Sequence, residues 1–107
     1  MPFEFGDVIL VRFPFGHQSG AKQRPAVVVS NRAYNDARPD VVAMGITSAV
    51  EADSIPVADW KAAGLVLPSS FKPSFATFEQ TLIQRRLGVL SADDKAVLRK
   101  LIRDVLG

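Results

Sequence analysis

For most of this 107-residue chain the hydrophobic residues come in short β-branched runs, and only after Ser91 do they switch to helical spacing. Gly6–Phe15 (GDVILVRFPF) is too short and too rich in Val, Ile and Phe for a helix and reads as a buried strand. Pro14 suits its end or an edge position. Pro25–Ser30 (PAVVVS) reads as a second strand followed by an Asn/Arg-rich turn, and Val41–Ile46 (VVAMGI) as a third running into Thr47 and Ser48. Ser54–Val57 fits a short fourth strand. Asp59–Ala63 before Gly64 looks like one helical turn with a glycine stop. Ser74–Ile83 is a further strand candidate, with Phe75, Thr77 and Phe78 suiting a pleated surface.

The last segment carries the clearest pattern. Ser91 can cap a helix, and Asp94 three residues on completes a capping-box-like pair. Val97, Leu98, Leu101, Ile102, Val105 and Leu106 then recur at helical spacing, with Lys95, Arg99, Lys100 and Arg103 outside the stripe. Several short strands followed by one amphipathic helix describe a mainly β (α+β) domain: a small β-barrel with a helical lid rather than a βαβ fold. The length fits a single domain spanning 1–107.

Composition then narrows the function. Apolar residues make up 48% and charged residues 22%, as in an ordinary soluble protein. No run approaches the roughly 18 apolar residues of a membrane span. The start MPFEFGD lacks the basic and apolar regions of a secretory signal, so a cytoplasmic location and no membrane association are expected. With no cysteine and one histidine, and no carboxylates at ligand spacing, a zinc or iron site is not expected, nor any other cofactor. No Gly-rich nucleotide cradle and no nucleophile elbow are present.

The net charge of +2 hides a segregation. Between Val8 and Asn35 stand Arg12, Lys22, Arg24 and Arg32 without an acid; between Asp40 and Asp59 stand Asp40, Glu51, Asp53 and Asp59 without a base. Lys72, Arg85 and Arg86 then face only Glu79. Such a pattern suits a basic face for a polyanion, and it equally suits a solvated surface with accidental clustering.

Within the basic stretch, Arg24 precedes Pro25, which forces it toward an extended conformation and aims its side chain. A guanidinium so held can clamp a phosphate through two parallel hydrogen bonds, or it can pair with a surface acid such as Asp7. Thr47 and Ser48 sit where a strand leaves the sheet, a place that suits a concave polar site but carries hydroxyls in any protein. His17, in the polar loop His17–Gln23, is the one side chain whose ordinary pKa lies near neutrality; a lone loop histidine is a catalyst or a bystander. Phe71, Phe75, Phe78, Tyr34 and Trp60 can stack on bases, although most fit the core.

Taken in order, these stretches resemble the MazF/PemK family of toxin endoribonucleases over nearly the whole chain. The similarity is carried by Gly6-Asp7-Val8-Ile9-Leu10-Val11, by the Gln18-Ser19-Gly20 loop leading to Arg24-Pro25-Ala26-Val27-Val28-Val29-Ser30, by Ile46-Thr47-Ser48, and by Arg86-Leu87-Gly88-Val89-Leu90-Ser91 before the final helix. Any one is weak; the set is fairly specific. The resemblance implies an SH3-like barrel with a C-terminal helix, of MazF/PemK/CcdB type, assembled as a homodimer. It implies metal-independent, sequence-specific cleavage of single-stranded RNA to 2′,3′-cyclic phosphate and 5′-hydroxyl ends, and a cognate antitoxin that silences the toxin. Arg24 falls on the family's catalytic arginine and Thr47 on its catalytic Ser/Thr.

Supporting or RNA-contacting roles are expected for His17, Gln18, Ser19, Lys22 and Ser48, and for Lys72, Thr77, Glu79 and Arg86 downstream. One departure stands out. Many members carry an Arg-x-x-Asp-like stretch in the late strand, where this chain has Phe75-Ala76-Thr77-Phe78-Glu79. Thr77 and Glu79 occupy similar places, but the arginine is missing, and Lys72 or Arg86 is the candidate replacement. Two other readings share the fold: a toxin that binds DNA gyrase and cuts nothing, and an inactive RNA-binding member.

Overall fold

The computed structural model describes residues 2–12, 23–49 and 51–107. Six strands form one curled antiparallel sheet: β1 (Asp7–Arg12), β2 (Gln23–Val28), β3 (Asp40–Thr47), β4 (Ile55–Pro56), β5 (Ser70–Glu79) and β6 (Arg85–Val89). Their order across the sheet is β4-β5-β3-β2-β1-β6. A short helix α1 (Arg32–Ala37) joins β2 to β3, a 3₁₀ turn (Gln80–Leu82) follows β5, and α2 (Ala92–Leu106) closes the chain. The expected β-rich architecture with a C-terminal helix is therefore what the chain adopts, as a half-barrel whose edge strands are β4 and β6.

The period-2 alternation of the strands divides the apolar residues between two faces. Val8, Val27, Met44, Ile46 and Phe71 lie on one face, under Leu98 and Leu101 of α2 and Val57, Ala63 and Leu65 of the β4–β5 connection. Ile9, Val11, Ala26, Val28, Val41, Ala43 and Phe78 form the second cluster, with Phe3, Ala76 and Ile83 against it. Strands apolar on both faces explain why β1, β2 and β3 read as continuous runs rather than alternating ones.

The helix α2 begins where the sequence places it: Asp94 N–H donates to Ser91 Oγ at 3.2 Å. Its apolar stripe is used only in part. Leu98 and Leu101 are buried and Ile102 is half-buried, whereas Val97, Val105 and Leu106 are exposed. The Asp94 carboxylate does not turn back on the cap. It is buried and takes the backbone N–H groups of Ala58 and Asp59 at 3.0 and 2.9 Å, tying the start of α2 to the β4–β5 connection.

Three elements differ from the sequence reading. The turn expected after β2 is the helix α1, capped by Asn31, whose side chain accepts from the Tyr34 N–H at 2.9 Å. Six residues show no apolar period; the helix is held instead by tertiary hydrogen bonds. Buried Asn35 donates to the carbonyls of Phe3 and Ser30, and Gln80 donates to those of Asn35, Arg38 and Asp40. The late strand runs from Ser70 to Glu79, and its last expected residues form the 3₁₀ turn. Residues 85–89, taken only as the approach to the final helix, form β6 against β1.

The turn at Asp59–Ala63 is present and ends as expected at Gly64, whose φ is +84°. Leu65 N–H reaches the Trp60 carbonyl and Gly64 N–H that of Lys61, both at 3.0 Å. This double closure satisfies the last carbonyls of the turn, with Leu65 and Trp60 both packing on the core as its apolar pair.

Candidate functional site

Arg24 is the second residue of β2 and stands opposite Val11 of β1. On its other side β2 pairs with β3, Val28 facing Ala43 and Ala26 facing Gly45. The paired residues stop there, and the same register carried two residues further would set Arg24 opposite Thr47, the last residue of β3. Opposed residues of an antiparallel pair project from one face with Cβ atoms about 4.5–5.5 Å apart. The two side chains singled out from the sequence thus flank the end of the β2–β3 pair. With Ser48 they line a cleft of about 280 Å³, joined by Gln23 and by Val66 and Leu67 from the β4–β5 connection.

Arg24 is exposed, and its side chain has neither hydrogen bond nor ion pair among the described residues. The alternative partner considered for it, Asp7, is taken by Arg86 at 3.1 Å. Thr47 Oγ1 accepts from the Ala49 N–H at 3.1 Å. That contact fixes the oxygen and leaves the hydroxyl proton free to donate into the cleft.

The remaining expected residues divide. His17, Gln18, Ser19 and Lys22 lie outside the described residues. Lys72 is exposed and pairs with Gly45 across a bulge that leaves Pro73 and Ser74 unmatched. Thr47 faces Ser70, so Lys72 is its diagonal neighbour on the same face, a separation of about 7–8 Å. Arg24, Thr47 and Lys72 therefore form a row across β2, β3 and β5. Arg86 is elsewhere: besides Asp7 it donates to the Pro2 carbonyl at 2.6 Å, and its guanidinium stacks 5.4 Å from the Phe3 ring centre. Its charge is committed to holding the N-terminal segment on β6.

Thr77 and Glu79 pair with Val42 and Asp40, at the opposite end of β3 from Thr47. Seven residues of strand put Glu79 roughly 24 Å from Thr47 along β3. The two line a separate cleft of about 380 Å³ with Arg12, Leu82 and Gln84. Among the described residues no three His, Cys, Asp or Glu side chains converge as a metal site requires, and no helix is long and apolar enough to cross a membrane. Of the aromatic residues, Phe71 and Phe78 are buried, Phe75 and Trp60 pack against the core, and Tyr34 lies under Arg38 at 5.1 Å. Gln23, Val66 and Leu67 were not anticipated. No local pattern marks them, because only folding brings the β4–β5 connection beside β2.

The chain matches, over residues 4–106, the family described as PemK-like, MazF-like toxin of type II toxin-antitoxin system. Among solved structures it is similar to a MazE–MazF crystal structure (form III) from Deinococcus radiodurans, with 22% identity, a TM-score of 0.79, and coverage of 100% of this chain and 98% of that one. It is also similar to the Mycobacterium tuberculosis toxin MazF-mt6, with 19% identity, a TM-score of 0.74, and coverage of 92% and 93%. An endoribonuclease in complex with its cognate antitoxin from mycobacterial species gives 18% identity, a TM-score of 0.70, and coverage of 99% and 94%. At these identities the likeness to the structures is one of fold. No curated protein sequence matches the chain.

Proposed function

Since the chain belongs to the PemK-like, MazF-like toxins of type II toxin-antitoxin systems, we propose that it is an endoribonuclease that cuts single-stranded RNA at specific sequences without a metal ion. Its products are 2′,3′-cyclic phosphate and 5′-hydroxyl ends, and its effect is to stop translation. A homodimeric assembly and a cognate antitoxin that silences it, alone or on DNA, belong to the same reading. The observation that carries it is the cleft lined by Thr47 and by Arg24, whose side chain has no partner among the described residues.

The chemistry follows from those groups. The ribose 2′-oxygen attacks the adjacent phosphorus, the P–O5′ bond breaks, and negative charge builds on the phosphoryl oxygens. Arg24 faces that charge with two parallel donors, and preorganised donors of this kind are worth about 10²–10³ in rate each. The Thr47 hydroxyl, oriented by Ala49, donates to a phosphoryl oxygen. Lys72 adds a second positive charge on the same face, in the role the missing late-strand arginine leaves open. Arginine holds its proton firmly at neutral pH and is a poor base. Of the two bases the sequence offers, Glu79 and His17, Glu79 stands at the far end of β3 from Thr47. The requirement for a 2′-hydroxyl selects RNA over DNA.

The test is cleavage of long single-stranded RNAs by the purified protein in EDTA, with the product ends identified. Discrete fragments with 2′,3′-cyclic phosphate, absent with folded Arg24→Ala, are expected. A folded wild type that cuts none of several RNAs overturns the reading in favour of a gyrase-binding or inactive member.

A further inference from the structure

We propose that Val66 and Leu67 form an apolar wall on which the base beside the cleaved phosphate packs, so that the β4–β5 connection helps set the cleavage sequence. This rests on the nuclease reading above. Val66 is 88% and Leu67 54% exposed, and both line the cleft that holds Arg24, Thr47 and Ser48.

The segment that displays them is anchored on both sides. At its start the Asp94 carboxylate holds the N–H groups of Ala58 and Asp59. Leu65, immediately before the pair, is buried in the core and closes the Gly64 turn. Immediately after, Ser69 is buried, its hydroxyl donates to the Leu67 carbonyl at 2.8 Å, and its own carbonyl accepts from the Val57 N–H at 2.9 Å. Pro68 fixes its own φ and restricts Leu67 to extended conformations. Two aliphatic side chains are thus held in water at little further entropic cost to a ligand that covers them.

The composition of the cleft decides what that ligand is. One wall carries a guanidinium and two hydroxyls, the other two aliphatic groups, and the Gln23 amide adds a donor and an acceptor. A nucleotide presents the same division: a phosphate, an apolar ring face, and a ring edge that hydrogen-bonds. A protein partner needs about 800 Å² on each side and roughly 20–30 residues, far more than two side chains between anchored neighbours supply.

The experiment compares the wild type, the double variant Val66→Ser with Leu67→Ser, and Leu67→Met. Fragment ends from a long single-stranded RNA define the preferred site. The kcat/KM is then measured on short oligoribonucleotides carrying each base next to the cut. For the double variant, kcat/KM on the preferred base should fall about tenfold or more, and the discrimination among bases should shrink, as when an apolar contact is lost from a pocket. Leu67→Met, which keeps the wall apolar, should retain most of the base preference that the double variant loses. Unchanged kcat/KM and base preference in the double variant overturn the proposal, as does an equal loss for all four bases. Intact cleavage with loss of inhibition by the antitoxin also overturns it, by giving the wall to a protein. A wild type that cuts no RNA fails at the earlier step and overturns the nuclease reading itself.

Discussion

Gly64 and Gly88 meet backbone to backbone where the β4–β5 connection crosses β6. A Cβ on Gly64 would lie 2.0 Å from the Leu87 carbonyl oxygen, and one on Gly88 2.5 Å from that of Ala63. Neither obstacle is the end of a flexible side chain, so relief requires the two segments to separate. Gly64 also holds φ at +84°, where L-residues are strained. Through this contact the connection bearing Val66 and Leu67 is seated against the edge of the sheet.

Alanine at Gly64 should therefore destabilise the fold by more than the roughly 1 kcal/mol of an ordinary left-handed glycine, to about 3 kcal/mol once the overpacking is added. Gly88→Ala should come close to it, without the φ penalty. Urea midpoints check both; values within about 0.5 kcal/mol of wild type would mean the two segments part easily.

Asp94→Ala should cost about 2–4 kcal/mol, because it removes a buried acceptor and leaves the N–H groups of Ala58 and Asp59 unpaired. Ser91→Ala removes only the cap and should cost about 1 kcal/mol. Equal losses for the two substitutions would show that Asp94 does no more than help start α2.

Lys72 and Arg86, equal candidates in the sequence, should separate by experiment. Lys72→Ala should raise KM for RNA and flatten its dependence on salt by about one phosphate contact, with little change in stability. Arg86→Ala strips the cation from Asp7, which is buried and keeps only the Glu4 N–H, and should lower stability by about 2 kcal/mol or more. Kinetics at several salt concentrations beside urea unfolding distinguish them; a salt effect from Arg86 alone would reverse the assignment.

Asp40 should titrate below the usual carboxylate range of about 3.9. The hydrogen bond from Arg38 lowers its pKa most, desolvation opposes that, and the charge of Arg38 adds to the lowering. A depressed folded pKa means the stabilisation is present above the ordinary carboxylate value and is lost as pH falls through the depressed one. The pair lies on the surface, so its weight is small. An NMR titration of the Asp40 side chain should show the low value return to normal in Arg38→Ala; no change would mean that another group sets it.

Arg24 and Thr47 are set apart only by the family resemblance of several stretches taken together, whereas the amino-acid sequence alone determined the β-rich class, the position and cap of α2, and the glycine-stopped turn before Leu65. All of these are local: β-branched runs, a 3.6 period, a cap residue and short motifs act within a few neighbours. Tertiary structure decided the rest. The helix α1 has no apolar period and exists through hydrogen bonds from Asn35 and Gln80 to distant carbonyls. The strand β6 exists because β1 needs a partner along its outer edge, and its own mostly exposed residues do not announce it. Lys72 stands diagonal to Thr47, rather than directly opposite it, because a two-residue bulge shifts the β3–β5 register. Arg86 leaves the row of Arg24, Thr47 and Lys72 because Asp7 is buried and demands a cation. Val66 and Leu67 reach the cleft only when the β4–β5 connection is pinned by Asp94 and Gly88, contacts that span more than twenty residues of chain. Register, bulges and long-range pairing are settled by what packs across the sheet, and no window of sequence contains both partners.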